Sequence, residues 1–171
     1  KLFAHEWAGI APDIMAVAKG LGGGFPIGAC LAGEKAGCAL SPGSHGSTFG
    51  GNPLAMAVGN AVLDVMLEDG FLDRVDATAE LMWRRLQGLI AHHPKVIKCV
   101  RGAGLMLGLE CVADAADLGA ALMERGLLSV PAAGNVVRLL PPLIVEEHQV
   151  NEALAILDRC CLDLAQKGTT P

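Results

Sequence analysis

One lysine stands where an apolar run meets a cluster of glycines. In AVAKGLGGGFPIGA, residues 16–29, Lys19 follows the apolar residues, and four of the next five residues are glycine. Glycines leave the backbone around the amine bare, which lets a flat ligand approach closely. Partial desolvation between an apolar strand and such a loop would make the amine a better nucleophile toward a carbonyl. The stretch therefore predicts a lysine that forms a Schiff base, although a lysine at a strand end is often only a solvated charge.

Two phosphate-binding motifs, the P-loop and the dinucleotide fingerprint, also contain several glycines close together. A P-loop places its lysine after the glycines and before Ser or Thr, whereas Lys19 precedes them. A dinucleotide fingerprint leads into a helix, whereas GLGGGFPIG leads into another apolar run. Neither motif fits this sequence.

A second glycine-rich loop, HGSTFGGNPLA at residues 45–55, offers groups that bind anions. Ser47 and Thr48 supply hydroxyls, Gly50 and Gly51 supply backbone amides, and a helix is predicted to start directly afterwards. Helix N-termini and exposed amides attract phosphate. The loop is therefore a candidate for the phosphate of a cofactor, and an ordinary capped helix start is the alternative.

Arg138 is the third candidate, in the segment GNVVRLLPPL. In a short strand its side chain should lie on the face opposite to those of Val137 and Leu139. The planar guanidinium suits bidentate capture of a carboxylate. A structural ion pair is the alternative interpretation.

Hydrophobic periodicity predicts two mixed α/β parts, residues 1–70 and 71–171, that position these side chains. The first part contains a buried strand at 14–18, a strand at 29–32 and a helix that Asn52 caps and Gly70 ends. The second part contains, in order, a helix at 72–93, two strands around a Gly-Ala-Gly turn, a short helix, a strand at 136–140 and a helix at 146–166.

Composition restricts the classes of partner. The chain has 171 residues, of which 52% are hydrophobic, and a net charge of -5 without a basic stripe, so we expect a packed protein that binds neither nucleic acid nor membranes. The six cysteines lack zinc-finger spacing, which favours reduced, mostly buried thiols and no metal site. The N-terminus does not resemble a signal peptide, and we expect a cytoplasmic protein.

Three segments together resemble the class III pyridoxal-phosphate aminotransferases, and most closely their members that act on N2-acetylornithine in arginine biosynthesis. These segments are PDIMAVAKGLGGGFPIGA, GSHGSTFGGNPLAMAVGNAVLDV and GNVVRLLPPL. The resemblance covers essentially the whole chain. It implies a fold-type I α/β transferase, in which residues 1–70 end the large domain that binds pyridoxal 5'-phosphate and residues 71–171 form the small C-terminal domain.

The resemblance also implies a role for each candidate residue. Lys19 would hold the cofactor as a Schiff base and move the proton during transamination. Thr48 would bind the cofactor phosphate of the neighbouring subunit of a homodimer, and Ser47 would contact the acylated ornithine. Arg138 would bind the carboxylate of the amino donor or of 2-oxoglutarate, which is converted to glutamate.

The match is to the C-terminal part of a longer enzyme. The family's Asp-Glu-x-Gln stretch, ring-stacking aromatic residue and second arginine are absent from this sequence, so we expect the isolated chain to be inactive. Succinylornithine, ornithine and 4-aminobutyrate remain alternative substrates. A noncatalytic module that binds a ligand or mediates dimerisation is the alternative from another class.

Overall fold

The computed structural model describes residues 1–167, which fall into two compact units. The first unit is Lys1–Leu72, and the second begins at Asp73. The sequence-based boundary at residue 70 lies two residues before this division. Each unit has its own sheet.

The first unit is built around a hairpin of two strands. Its elements are, in order, α1 (Ala4–Ala8), β1 (Ile14–Ala18), β2 (Gly28–Ala32), α2 (Glu34–Gly37) and α3 (Pro53–Met66). β1 and β2 are antiparallel, with Ile14 opposite Ala32 and Ala18 opposite Gly28. The prediction of both strands is confirmed, while the short helices α1 and α2 were not expected.

The expectation that β1 is buried is wrong. Its residues alternate between exposed and half-buried, and Ile14 is 60% exposed. Within the described part of the chain β1 pairs with β2 alone, and a two-stranded ribbon leaves much of both faces uncovered.

The start of α3 follows the predicted capping pattern. Asn52 accepts a hydrogen bond from the Ala55 amide at 2.9 Å through its side-chain oxygen, and Pro53 occupies the first helical position. The helix ends at Met66, before Gly70, whose φ is +76°. Gly70 lies directly before the next helix, which begins at Phe71, so the expectation that it ends α3 is off by about one turn.

The second unit is a four-stranded antiparallel sheet with helices. Its elements are α4 (Phe71–His92), β3 (Ile97–Ala103), β4 (Met106–Cys111), α5 (Ala115–Glu124), β5 (Val130–Ala132), β6 (Val136–Leu139) and α6 (Glu147–Lys167). The strand order is β3-β4-β6-β5. Every predicted element of this unit is present, and the short edge strand β5 is the addition.

One face of this sheet forms the core together with the apolar stripes of the helices. From the strands, the buried side chains are those of Ile97, Leu107, Leu109, Cys111, Val137 and Leu139. Helices α4, α5 and α6 add Met82, Leu86, Leu118, Leu122, Val150, Leu157 and Cys161. The opposite face of the sheet carries Arg101, Glu110 and Arg138 together with the apolar side chains of Met106 and Val136.

Asn135 sets the start of β6. Its φ is +58°, and its side-chain amide donates to the carbonyls of Cys111 and Ala113 at 2.9 and 2.8 Å. The same side chain accepts from the Ala115 amide at 2.8 Å. One residue thus joins the end of β4, the start of α5 and the start of β6, and asparagine suits it because it tolerates a left-handed backbone.

All six cysteines are free thiols. The expectation of burial holds for Cys111, Cys160 and Cys161 but is wrong for Cys30 and Cys38, which lie in the exposed first unit. Desolvation raises the pKa of the Cys161 thiol to about 12, so this thiol stays protonated at neutral pH. Within residues 1–167, every helix is too short or too polar to span a lipid bilayer.

Gly102 is a position where a side chain should be strongly destabilising. Its φ is +136°, and an added Cβ would collide with the Met106 carbonyl oxygen across the hairpin. We expect Gly102→Ala to lower the free energy of unfolding by about 3 kcal/mol, measured by urea denaturation. Gly88→Ala is the control, because open space surrounds Gly88 within α4. That control should be neutral or stabilising by about 0.5 to 1 kcal/mol, and equal losses in the two variants would contradict the structure.

Candidate cofactor and substrate site

Lys19 directly follows β1 in the first unit. β1 ends at Ala18, and a single 3₁₀ turn, Lys19–Gly22, follows before the chain returns in β2. This 3₁₀ turn was not among the predicted elements. Lys19 has a φ of +55°, a conformation that costs a side-chain-bearing residue about 1 kcal/mol. Strain of this kind is concentrated at functional sites, which supports Lys19 as a reactive residue.

The expected desolvation of Lys19 is absent. Lys19 is exposed, and so are its neighbours Ala18 and Gly20. The reason is that alanine and glycine have no side chains long enough to enclose an amine. The structure therefore presents an accessible amine on a strained backbone.

The glycines after Lys19 divide into a packed set and an open set. An added Cβ at Gly22 would lie 2.5 Å from Ile27, and one at Gly23 would lie 3.0 Å from Val62 of α3. An added Cβ at Gly20 or Gly24 would meet nothing within 4 Å. Gly23 thus packs against α3 and Gly22 packs within its own loop, whereas Gly20 and Gly24 face open space. A bare backbone of this kind leaves room for a flat cofactor to approach.

In the loop before α3 the two hydroxyl side chains are exposed, but one backbone amide already forms a hydrogen bond within the loop. Ser47 and Thr48 are both exposed. The Gly50 amide, however, donates to the Ser47 carbonyl at 3.2 Å, so the expectation that it is free is wrong. The reason is that residues 47–50 form a tight turn of their own, with Thr48 in its first central position. The Ala55 amide in the first turn of α3 already donates to the Asn52 side chain, so this amide is not available to an anion.

Arg138 occupies the predicted position, on the face of the second-unit sheet opposite to the core. It pairs with Gly108 of β4 and Val130 of β5, whereas its neighbours Val137 and Leu139 are buried on the core face. The Arg138 Nε atom is buried and has no hydrogen-bond partner. Among residues 1–167 no carboxylate forms an ion pair with this arginine, so the alternative of a structural ion pair finds no support there.

A cluster of charges on the same face was not identified from the sequence. Glu110 accepts from Lys98 at 2.7 Å and lies 3.7 Å from Arg101. The hydrogen bond to Lys98 and the positive charge of Lys98 lower the pKa of the Glu110 carboxyl, and the same hydrogen bond and the negative charge of Glu110 raise the pKa of Lys98. Lys98 and Arg101 are three residues apart, so alternation alone would place them on opposite faces of β3. The cluster becomes recognisable only once the strands are paired, with the irregularity between Ile97 and Cys99.

The four candidate residues are distributed over both units. Lys19, Ser47 and Thr48 belong to the first unit, and Arg138 belongs to the second. Within the described residues, no hydrogen bond joins Lys19 to either hydroxyl.

Comparison with known proteins assigns the chain to a family. The model of the "Aminotransferase class-III" family matches residues 1–161. The chain belongs to the class-III aminotransferases. An acetylornithine aminotransferase of Mesorhizobium japonicum is 58% identical over 154 residues, which are 90% of this chain and 39% of that relative. The chain thus spans about two fifths of the length of such relatives.

Solved class-III structures share its fold. An acetylornithine aminotransferase from Elizabethkingia anophelis matches with a TM-score of 0.86 and 37% identity, covering 95% of this chain and 42% of that one. An ornithine aminotransferase from Toxoplasma gondii matches with a TM-score of 0.88 and 32% identity, covering 98% and 41%. The expected fold, part of a pyridoxal-phosphate-dependent α/β transferase, is confirmed.

The strained backbone at Lys19 predicts an unusual order of stability. In regular structure glycine is less stable than alanine by roughly 0.5 to 1 kcal/mol, but glycine adopts a positive φ without steric cost. We expect Lys19→Gly to be more stable toward urea than Lys19→Ala by about 1 kcal/mol. Both variants remove the amine, so the comparison isolates the backbone. An alanine variant as stable as the glycine variant would argue against the left-handed conformation.

Proposed function

We propose that this chain is the C-terminal part of an aminotransferase that moves the δ-amino group of N2-acetylornithine to 2-oxoglutarate in arginine biosynthesis, in the cytoplasm. In this proposal residues 1–70 end the large cofactor-binding domain, and residues 71–171 form the small C-terminal domain. The chain alone is inactive, because the groups that hold the cofactor ring lie elsewhere in the enzyme.

The observation that carries the proposal is the buried Nε donor of Arg138, which has no hydrogen-bond partner. A buried donor without a partner is costly, and a ligand that accepts from it removes that cost. Carboxylates are the acceptors that match guanidinium best, and both substrates carry one. Arg138 would therefore orient the amino donor and 2-oxoglutarate in turn.

Lys19 is the residue proposed to hold pyridoxal 5'-phosphate covalently. The cofactor, when bound, supplies the electron sink that stabilises charge on the reacting carbon. Lys19 Nζ would accept the proton from the carbon that bears the substrate amine and later return it. The open space at Gly20 and Gly24 supports this assignment, because it leaves one side of the amine accessible.

Thr48 and Ser47 complete the proposed site from an exposed turn. The Thr48 hydroxyl would donate to the cofactor phosphate of the neighbouring subunit, and Ser47 would contact the acylated ornithine. The exposure of both side chains is consistent with groups that act on another chain. This assignment makes a homodimer necessary for activity.

The choice of substrate depends on similarity between sequences. Identity to the acetylornithine aminotransferase of Mesorhizobium japonicum is 58%, against 32% for the ornithine aminotransferase of Toxoplasma gondii. Ornithine is therefore the second candidate. A noncatalytic binding module would not need the strained, accessible amine of Lys19.

The covalent role of Lys19 has a direct chemical test. Borohydride reduction of the full-length holoenzyme should attach the cofactor irreversibly to the peptide that contains Lys19, as mapped by mass spectrometry. Lys19→Ala should lose the label and transamination while it still binds the cofactor noncovalently. Lys35→Ala, which removes an exposed lysine of the same unit, serves as the control and should keep the label. Label on any other lysine would refute the assignment.

The role of Arg138 predicts a change in KM. We expect Arg138→Ala in the full-length enzyme to raise the KM of both carboxylate substrates by roughly tenfold or more, because a charge-assisted hydrogen bond is lost. Steady-state kinetics with each substrate varied in turn measures it. Arg125→Ala, which removes a partly exposed arginine that pairs with Asp163, should leave both KM values unchanged. Equal KM values in wild type and Arg138→Ala would return Arg138 to a structural role.

A further inference from the structure

The sheet face that carries Arg138 also carries an acidic side chain within reach of it. Arg138 lies opposite Gly108, and Glu110 follows two residues later on β4. Residues two apart in a strand share a face, so Glu110 and Arg138 are diagonal neighbours with Cα atoms about 7 to 8 Å apart. Both side chains are long enough to bridge that distance. Glu110 is therefore a potential competitor for Arg138.

The carboxylate of Glu110 is instead held by two cations from β3. Glu110 Oε1 lies 2.7 Å from Lys98 Nζ, and Oε2 lies 3.7 Å from Arg101 Nη1. β3 lies on the side of β4 away from β6, the strand of Arg138. Both oxygens are thus drawn away from Arg138, whose Nε remains without a partner.

Gly108 makes room for this arrangement. It stands between Arg101 and Arg138 in one row across three strands. An added Cβ at Gly108 would lie 3.2 Å from Val136 Cγ1 and 3.7 Å from Arg101 Cγ. The Arg101 stem therefore lies close against Gly108, and this position brings its guanidinium to Glu110.

We propose that Lys98 and Arg101 hold Glu110 away from Arg138 and so keep the Arg138 guanidinium available to the carboxylates of the substrates. This inference rests on the proposed function, in which Arg138 binds those carboxylates. Lys98 and Arg101 are positioning residues, since they act through Glu110. A glutamate without a partner has an ordinary pKa of about 4.3, so a Glu110 released from Lys98 would compete at neutral pH as a full negative charge.

Single substitutions in the full-length holoenzyme test the proposal, with the keto acid 2-oxoglutarate as the varied substrate. Lys98→Met, or Arg101→Met as a second variant, should raise its KM by roughly tenfold and leave kcat within about twofold. Lys95→Met is the matched control, because it removes the same charge from an exposed site three residues away. An equal rise in KM for Lys95→Met would mean a general effect of charge and would overturn the proposal.

Rescue by a second substitution separates competition from a structural defect. Glu110→Gln keeps the size of the side chain and removes its charge, so Lys98→Met with Glu110→Gln should return the KM to within about twofold of wild type. Calorimetry should show that glutarate binds more weakly to the Lys98→Met holoenzyme than to wild type. Its binding to the double variant should return to the wild-type affinity. A KM that stays high in the double variant, or does not rise in either single variant, would refute the inference.

The Arg138→Ala variant distinguishes failure of the inference about Glu110 from failure of the proposed function. If Arg138→Ala raises the KM whereas Lys98→Met and Arg101→Met do not, Arg138 binds carboxylate and the positioning role is wrong. If Arg138→Ala leaves the KM unchanged, the proposed role of Arg138 is wrong, and the inference about Glu110 is wrong with it.

Discussion

The register of β6 against β4 decides which face of the second-unit sheet carries Arg138. Because strand side chains alternate, a slip by one residue would turn Arg138 into the apolar core and expose Val137. A buried guanidinium without a counter-charge is costly, so the apolar core strongly disfavours that alternative. Asn135 reinforces the register from outside the ladder, since its side chain binds the backbone on both sides of the β4–α5 junction.

A comparable constraint acts on Lys19 in the first unit. There the connection from β1 to β2 begins with a 3₁₀ turn at Lys19–Gly22, and this turn places a lysine in a conformation that glycine adopts more easily. Gly23 packs against Val62 of α3 and Gly22 packs against Ile27 of the same loop, so the strain at Lys19 is held by contacts beyond it. The amine is thus positioned by the backbone and not by a surrounding pocket within residues 1–167.

Local signals made most of the elements predictable. Asn52 and Pro53 mark the start of α3, Gly134 and Asn135 mark the turn before β6, and the apolar stripe of α6 follows the helical period. Each of these signals depends on residues close together in the sequence. The family resemblance then extended the prediction to the fold, which the comparisons confirm.

Other features depend on residues distant in the sequence. The exposure of Lys19 depends on which elements pack against β1. The hydrophobic periodicity of a short segment does not indicate which elements these are. The charge cluster around Glu110 forms only when β3 and β4 are paired in their particular register, with an irregularity between Ile97 and Cys99. The roles of Lys19, Ser47, Thr48 and Arg138 came from the resemblance and stay predictions until they are tested.

The hydrogen bonds of Asn135 also bear on how the protein ages chemically. Asparagine side chains are among the thermally labile groups of proteins, because the amide hydrolyses slowly to a carboxylate. At Asn135 such a change would replace the donor to two carbonyl oxygens by a negatively charged acceptor, so attraction to Cys111 and Ala113 would become repulsion. The replacement of a single group, without any substitution in the gene, would thus loosen the junction that orients Arg138.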